Sequence, residues 1–260
     1  MSAGHNQPDG WSLRLLGGFE LVGPRGTVDV PPGVQRMVAY IALQGRSVTR
    51  ARVADDLWPE VDANRAATSL RSALWRLNRL GPLLVAGSQS IRLSPVVTVD
   101  VTDLGEMAAR LRDAAVDDAP FLASFNLELL PGWQDEWVTL ERERLRQLEL
   151  QVLDSLVAHR VERGRLGEAV DAAIRAIRLE PLRESSHRDL IRIYVAAGNR
   201  TAALTHYEGF AKLLHRELDI APEPATTALV QPFLRARPPR SRSRTTPPRG
   251  SGRPNGSRPA

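Results

Sequence analysis

Residues 156–213 repeat themselves with a period of 34. Shifting Leu156–Leu179 forward by that interval lays Leu156 on Leu190, Gly164 on Gly198, Ala169 on Ala203 and Leu179 on Leu213. Val157, Val161 and Val170 then meet Ile191, Val195 and Leu204. This spacing holds two helices and two turns, and one such unit cannot bury its apolar face alone, so it must stack on a neighbour. The matched residue types agree. Ala169 and Ala203 let paired helices approach closely, and Gly164 and Gly198 fall where the chain turns through a left-handed residue. Two units are short of a free-standing stack, so the helical stretch Asp135–Arg163 and the segment Pro224–Leu234 are expected to cover its ends. Tyr194, Tyr207 and Phe210 read as core rather than as a ligand cage.

A different pattern marks the first half. At the helical period, Asn64–Leu80 places Ala66, Leu70, Ala73, Leu74, Leu77 and Leu80 on one side. Arg65, Thr68, Ser69, Ser72, Arg76 and Arg79 lie on the other, with no carboxylate among them. An ordinary solvated face mixes both signs. Guanidinium groups and short hydroxyls suit phosphates and base edges, because the guanidinium is always charged and bonds in pairs. Every cation except Lys212 is arginine, so the choice of Arg at any one position carries little weight.

The neighbouring segments give that helix a context. Ser12–Val30 reads as short strands turning at Gly23-Pro24-Arg25-Gly26. Helix one spans Gly33–Gln44 and stops at Gly45. Thr49 caps a second helix, Arg50–Leu57, which Trp58 closes before Pro59. The loop Pro59–Ala63 carries Glu60 and Asp62, and Asn64 is the expected cap of the Arg-rich helix. After the Gly81-Pro82 stop, Leu83–Leu93 places two apolar runs around Gly87–Ser90, which reads as a β-hairpin. This order is a helix-turn-helix with a following wing. In that architecture the second helix of the pair enters the major groove, so its outer face must carry donors. The hairpin lies beside it, where Gln89 and Arg92 can meet the backbone or minor groove. Arg36, at the start of helix one, is a candidate phosphate contact, with plain solvation as the alternative. Trp58 and Trp75 read as core. Further on, Val96–Asp103 reads as extended, Leu104–Ala115 as helical and Asp113–Asp118 as a loop. Phe121–Leu130 shows no clean period, and Pro131-Gly132-Trp133 marks a corner.

Charge is unevenly spread. Residues 11–95 carry +5, residues 96–231 carry −7, and residues 232–260 carry +8 with no acid at all. Polyanion binding therefore belongs to the front and to the tail. Residues 1–10 and the Arg/Pro/Ser/Gly-rich 235–260 lack core-forming side chains and are expected to be disordered. Absence of cysteine excludes disulfides and thiolate metal sites. No apolar run is long enough to span a bilayer, and the N-terminus lacks a secretory pattern, so a cytoplasmic protein is expected. Neither a phosphate-cradling glycine loop nor paired metal-ligand spacing is present. His5, His159, His187, His206 and His215 are scattered. The chain is read as a non-enzyme with no cofactor and no metal.

The segments LQGRSVTRARVADDLWP (43–59), LRSALWRLNRL (70–80) and VDVTDL (99–104) carry a family resemblance. So do LLPGWQDEWVTLERERLRQLEL (129–150), GRLGEAV (164–170), EPLRESSHRDLIRIYVAAGNRTAALTHYE (180–208) and LDIAPEPAT (218–226). Over residues 12–234 the sequence resembles the Streptomyces antibiotic regulatory proteins, an OmpR-like winged helix joined to a bacterial transcriptional activator domain. It departs from the family at Asn78, where Arg is frequent, and at Met107, where an aromatic is common. The resemblance implies a mainly α chain with small β elements. Residues 11–98 would form the winged helix-turn-helix and 99–234 a tetratricopeptide-like domain. No ATPase or receiver region follows, which implies the short form of the family.

The resemblance also implies a bacterial regulator that binds double-stranded DNA at promoter direct repeats, as a homodimer or side-by-side protomers. Such proteins recruit RNA polymerase and activate secondary-metabolite genes. Arg65, Thr68, Ser69, Ser72, Arg76 and Arg79 would then face DNA, with Arg92 on the wing, and the Pro59–Ala63 loop would meet polymerase. DNA binding alone does not set the sign of regulation. The competing reading is a helical-repeat adaptor whose front domain binds protein or RNA.

Overall fold

The computed structural model describes residues 10–113 and 127–235. The sequence expectations for residues 1–9, for 114–126 and for the tail beyond 235 lie outside the described residues.

Leu13 and Leu21, both sealed from solvent, sit on adjacent strands and anchor the first sheet. Strand β1 (Trp11–Arg14) pairs antiparallel with β2 (Glu20–Gly23), and β2 pairs with β3 (Gly26–Val28). Strand β7 (Val97–Val99) returns parallel to β1, giving the order β3-β2-β1-β7. The run LRLLGGFEL is broken where Gly17 and Gly18 take φ of 82° and 141°, a region that side chains avoid.

The helix-turn-helix follows as read. Helix α1 (Pro32–Gln44) buries Val34, Met37, Val38 and Ile41, and Gly45 ends it at φ 62°. Strand β4 (Val48–Thr49) leads into α2 (Arg50–Leu57), where the Thr49 side chain accepts from the Arg52 backbone N–H. Helix α3 (Ala63–Asn78) packs on α1 and α2 through Ala66, Leu70, Ala73, Leu74 and Leu77. The hairpin β5 (Leu84–Ala86) and β6 (Ser90–Leu93) joins β4 in a second sheet of order β4-β6-β5.

Helix α4 starts earlier than the sequence suggested. It spans Asp100–Asp113, so Asp100–Asp103 are helical rather than extended. The Asp100 carboxylate accepts from the Val101 N–H at the helix start and from Leu15 and Leu16 at the end of β1. It thereby occupies donors that the first turn and the strand end leave open. Burial raises its pKa, opposed by these three backbone bonds.

The repeat appears as helix pairs. Helix α5 (Glu136–Glu162) packs on α6 (Leu166–Leu179), α6 on α7 (Glu184–Ala196), and α7 on α8 (Arg200–Leu218). Helix α9 (Pro224–Arg235) covers α7 and α8. Gly164 and Gly198 both take φ 72°, and each donates to a carbonyl three residues back at 3.0 Å. Arg165 and Asn199, one residue on, donate to Arg160 and Tyr194 at 2.8 Å. The sequence period is thus a period of backbone geometry. Ala169 and Ala203 are fully buried. Phe210 is buried, while Tyr194 and Tyr207 are half-buried against the apolar cluster formed by Ile191, Ala203 and Val230.

The spacing of the histidines gave no sign of one contact. His187 Nε2 lies 2.9 Å from the Pro181 carbonyl, so that nitrogen must carry the proton. His187 Nδ1 is then an acceptor, and His206 Nε2, 3.0 Å away, donates to it. Phe210 stacks on His187 at 3.8 Å between centroids. Burial lowers both pKa values, that of His206 to about 4, with the neighbouring His187 adding to the effect. The unfolded chain therefore takes up protons between its ordinary value and about 4 that the folded chain refuses. Stability present above the unfolded value near 6.5 is lost as pH falls through that window. Thermal melts across this interval should show a falling Tm, and His206→Gln should flatten the slope. Equal slopes for the two proteins would contradict the assignment.

Candidate nucleic-acid interface

The polar side of α3 is open. Arg65, Thr68, Ser72, Arg76 and Arg79 are exposed and Ser69 is half-exposed. The Arg65 side chain is 81% accessible. Two further residues share this surface. Arg71 is exposed and donates to Thr68 Oγ1 at 2.9 Å, while the Thr68 hydroxyl donates to the Asn64 carbonyl at 2.8 Å. Trp75 is 62% exposed, and the Arg79 guanidinium lies 5.0 Å from its ring centroid. Trp75 is therefore not core, unlike Trp58, which packs against the interior as expected. The reason is periodicity. Position 75 falls one turn from both Ser72 and Arg79, inside the polar stripe, and residue type outweighed register in the sequence reading.

Asp62, not Asn64, caps α3. Its carboxylate accepts from the Asn64 and Arg65 backbone N–H groups at 3.1 and 3.0 Å. A full negative charge beside the positive end of the helix dipole explains the preference over the neutral amide. Asp62 also sits 3.4 Å from the Arg65 guanidinium. Both groups are exposed, so this pair is weak and leaves Arg65 free to exchange partners. Glu60 stands exposed on the same loop.

Arg36 is removed from the candidate surface. Its Nε donates to Asp135 Oδ1 at 3.0 Å, tying α1 to the start of α5. Sequence spacing cannot reveal a partner 99 positions away.

The wing is held against the helix pair. The Arg50 guanidinium donates twice to the Gly87 carbonyl at 3.1 and 3.0 Å, and the Arg50 backbone N–H donates to the Gln89 carbonyl at 2.9 Å. Gly87 N–H and the Ser90 carbonyl close the hairpin tip around Ser88 and Gln89. The Gln89 side chain remains exposed at that tip. Arg92 is also exposed. It borders a shallow depression with Arg46, Ser47, Thr98 and Asp103, none of which lies on α3. Thus α3 and Gln89 are positioned by one rigid unit, while Arg92 lies towards the end of α1. Among the described residues, no group of three or more His, Asp or Glu is arranged to hold a metal ion. No helix among them is long and apolar enough to cross a membrane.

A helix-turn-helix with a hairpin wing is thus joined to stacked helix pairs. Residues 100–234 match the family model of the bacterial transcriptional activator domain, and the chain belongs to the Streptomyces antibiotic regulatory protein family. It is 28% identical over 215 residues to the regulatory protein AfsR of Streptomyces coelicolor. That match covers 78% of this chain but 22% of AfsR, so the chain spans about a fifth of that relative's length. Its fold is similar to that of Mycobacterium tuberculosis EmbR, solved in complex with a low affinity phosphopeptide. The TM-score is 0.66 at 20% identity, covering 88% of this chain and 66% of the EmbR chain.

The capping geometry is testable without a ligand. Asp62→Ala should cost about 1 kcal/mol in urea unfolding, whereas Asn64→Ala should change stability by less than about 0.5 kcal/mol. The reverse ranking would restore Asn64 as the cap.

Proposed function

We propose that the chain is a sequence-specific DNA-binding transcriptional activator, and that α3 is its reading helix. The observation that carries this is the outward face of α3, where arginines, hydroxyls and an exposed tryptophan lie together with no carboxylate between them. Such a face is costly to leave unused. It concentrates like charges, and it keeps a large indole in water. Duplex DNA relieves both, because phosphates neutralise the guanidinium groups and base edges accept their paired donors.

Roles follow from position along the helix. Arg65, Ser69 and Ser72, near the N-terminal half, read base edges in the major groove. Arg76 and Arg79 grip phosphate. Trp75, between them, presents its ring to thymine methyls or sugar. Gln89 meets the flanking backbone from the hairpin tip, and Arg92 contributes only long-range attraction from its place near Arg46. Thr68 orients Arg71 and, with its proton held by the Asn64 carbonyl, has one lone pair left to accept from a base amino group.

On this reading two protomers lie side by side on promoter direct repeats. The Pro59–Ala63 loop, with Glu60 exposed, faces RNA polymerase, and the helical half supplies contacts between protomers. Asp62 supports that loop through its cap and is not a free contact. The family's activators support the sign of regulation, and secondary-metabolite genes are the proposed targets. The domains are 11–98 for DNA and 99–234 for activation.

Gel shifts on the regions upstream of the gene and its neighbours test the assignment. Arg65→Ala should cost about 1–3 kcal/mol on the cognate site and relax sequence preference. Arg79→Ala should weaken all sequences alike and flatten the salt slope by about one. Trp75→Ala should leave folding stability within about 0.5 kcal/mol, because the ring is exposed, yet reduce DNA affinity. If none of the three alters duplex binding, the front domain serves protein or RNA instead.

A further inference from the structure

An opening lies at the seam between the two halves, away from the polar face of α3. It has a volume of 740 Å³ and is bounded by α1, α2, the Pro59–Val61 loop and the start of α5. Its apolar lining includes Trp58, Trp137, Val61 and Leu140, and the last two are 40% and 64% exposed. Its charge is one-sided. The two arginines in the wall, Arg36 and Arg52, are engaged by Asp135 and Asp56. Asp55, Glu60 and Glu136 also line it, and among the described residues none of them has an ion-pair partner. The Trp137 Nε1–H is buried and has no acceptor among the described residues.

We infer that this cleft docks the chain's own Arg/Pro-rich segment, residues 236–260. That segment has seven arginines, six prolines and no acid. Proline-rich sequence favours the polyproline II conformation, whose carbonyls are free to accept and whose rings lie flat on indoles. Interleaved arginines then meet carboxylates, as Pro238-Pro239-Arg240 and Pro247-Pro248-Arg249 both allow. The segment is long enough to reach the cleft. The segment leaves α9, which packs on α7 and α8 at the opposite end of the helical stack. The α5 helix alone is about 40 Å long at 1.5 Å per residue. A polyproline II chain advances about 3.1 Å per residue, so this segment can extend to about 75 Å, well beyond the length of α5. Docking there covers Glu60, so the segment and any partner of that loop exclude one another. This inference does not depend on α3 binding DNA.

The chain has no cysteine, so a single engineered thiol can be labelled uniquely. The 260-residue chain carrying Ser251→Cys with a benzophenone label is irradiated, and the cross-linked peptides are mapped by mass spectrometry. Cross-links should concentrate within the same chain on residues 57–61 and 136–141. They should fall at least fivefold in the exposed-residue variant Asp55→Asn/Glu60→Gln/Glu136→Gln and separately in Leu140→Ser. Circular dichroism verifies that both variants remain folded. The proposal fails if cross-links scatter over the surface, land on α3, or join two chains in a mixture of isotope-labelled and unlabelled protein. It also fails if both variants leave the yield unchanged.

Discussion

The structure depends on an aromatic wedge driven between its two halves. Phe19 stacks on Trp133 at 6.5 Å, Trp133 meets Trp137 edge-on at 6.2 Å, and Trp137 meets Tyr40 edge-on at 5.4 Å. These rings come from β2's leading edge, the corner before α5, α5 itself and α1. Around them, Leu130 donates its backbone N–H to Leu15, and Gly17 donates to Glu128, so the first sheet is stitched to the corner. One continuous cluster of buried apolar side chains runs from Leu13 to Ile193 as a result. Tyr40 also links the wedge to the helix-turn-helix, because its hydroxyl donates to Asp56 on α2. Burial, and then that carboxylate, push its pKa up to about 12, so the phenol stays a neutral donor throughout the physiological range. The orientation of α2 and α3 is therefore coupled to α5 by packing rather than by a linker.

Arginine serves two opposed purposes in this chain. Inside, it satisfies backbone and carboxylate groups. Arg142 donates to the carbonyls of Leu129 and Leu130, holding the corner where Leu130 takes a positive φ of 44°. Arg175 pairs at 2.7 Å with Glu149, a carboxylate only 3% exposed, and Arg183 grips Asp154 through two bonds. Burial raises the Glu149 pKa against the pull of Arg175. Such a pair contributes little net stability, but leaving either partner alone is costly, so it fixes which faces of α5 and α6 meet. On α3 the same residue type is left in solvent. The contrast gives the α3 face its meaning. Where arginine has a structural task the fold supplies an acceptor, and among the described residues the one ion pair along that face is Arg65 with the exposed cap Asp62.

Much of this was legible in the sequence because local rules decide it. The 34-residue period, the left-handed glycines, the Thr49 cap and the bounds of α2 all follow from near neighbours along the chain. Local reasoning failed where a distant residue intervened. Asp100 bonds the end of β1 some 85 positions back, Arg36 bonds Asp135, and His187 meets His206 across two helices. None of these partnerships leaves a periodic trace. The misplacement of Trp75 differs in kind, since the stripe that contains it was already visible. A tryptophan's usual burial prevailed over its angular position, though the register is the stronger physical constraint.

That exposed ring also bears on how α3 can act. An arginine in solvent carries about 2 kcal/mol of side-chain entropy that any fixed contact must remove. Stacking over Trp75 confines the Arg79 guanidinium beforehand, and an exposed cation–π contact supplies about 0.5–1 kcal/mol towards doing so. At the opposite end of the helix Arg65 stays free, because its exposed pair with Asp62 is weak. On the proposed reading, the C-terminal end of the helix presents a preordered fork, and less ordering entropy remains there to oppose binding. The indole gains as well, because its ring is partly covered by the guanidinium until a base or sugar covers the rest. The tryptophan and the arginine thus form one unit, and the exposure of the first is explained by the availability of the second.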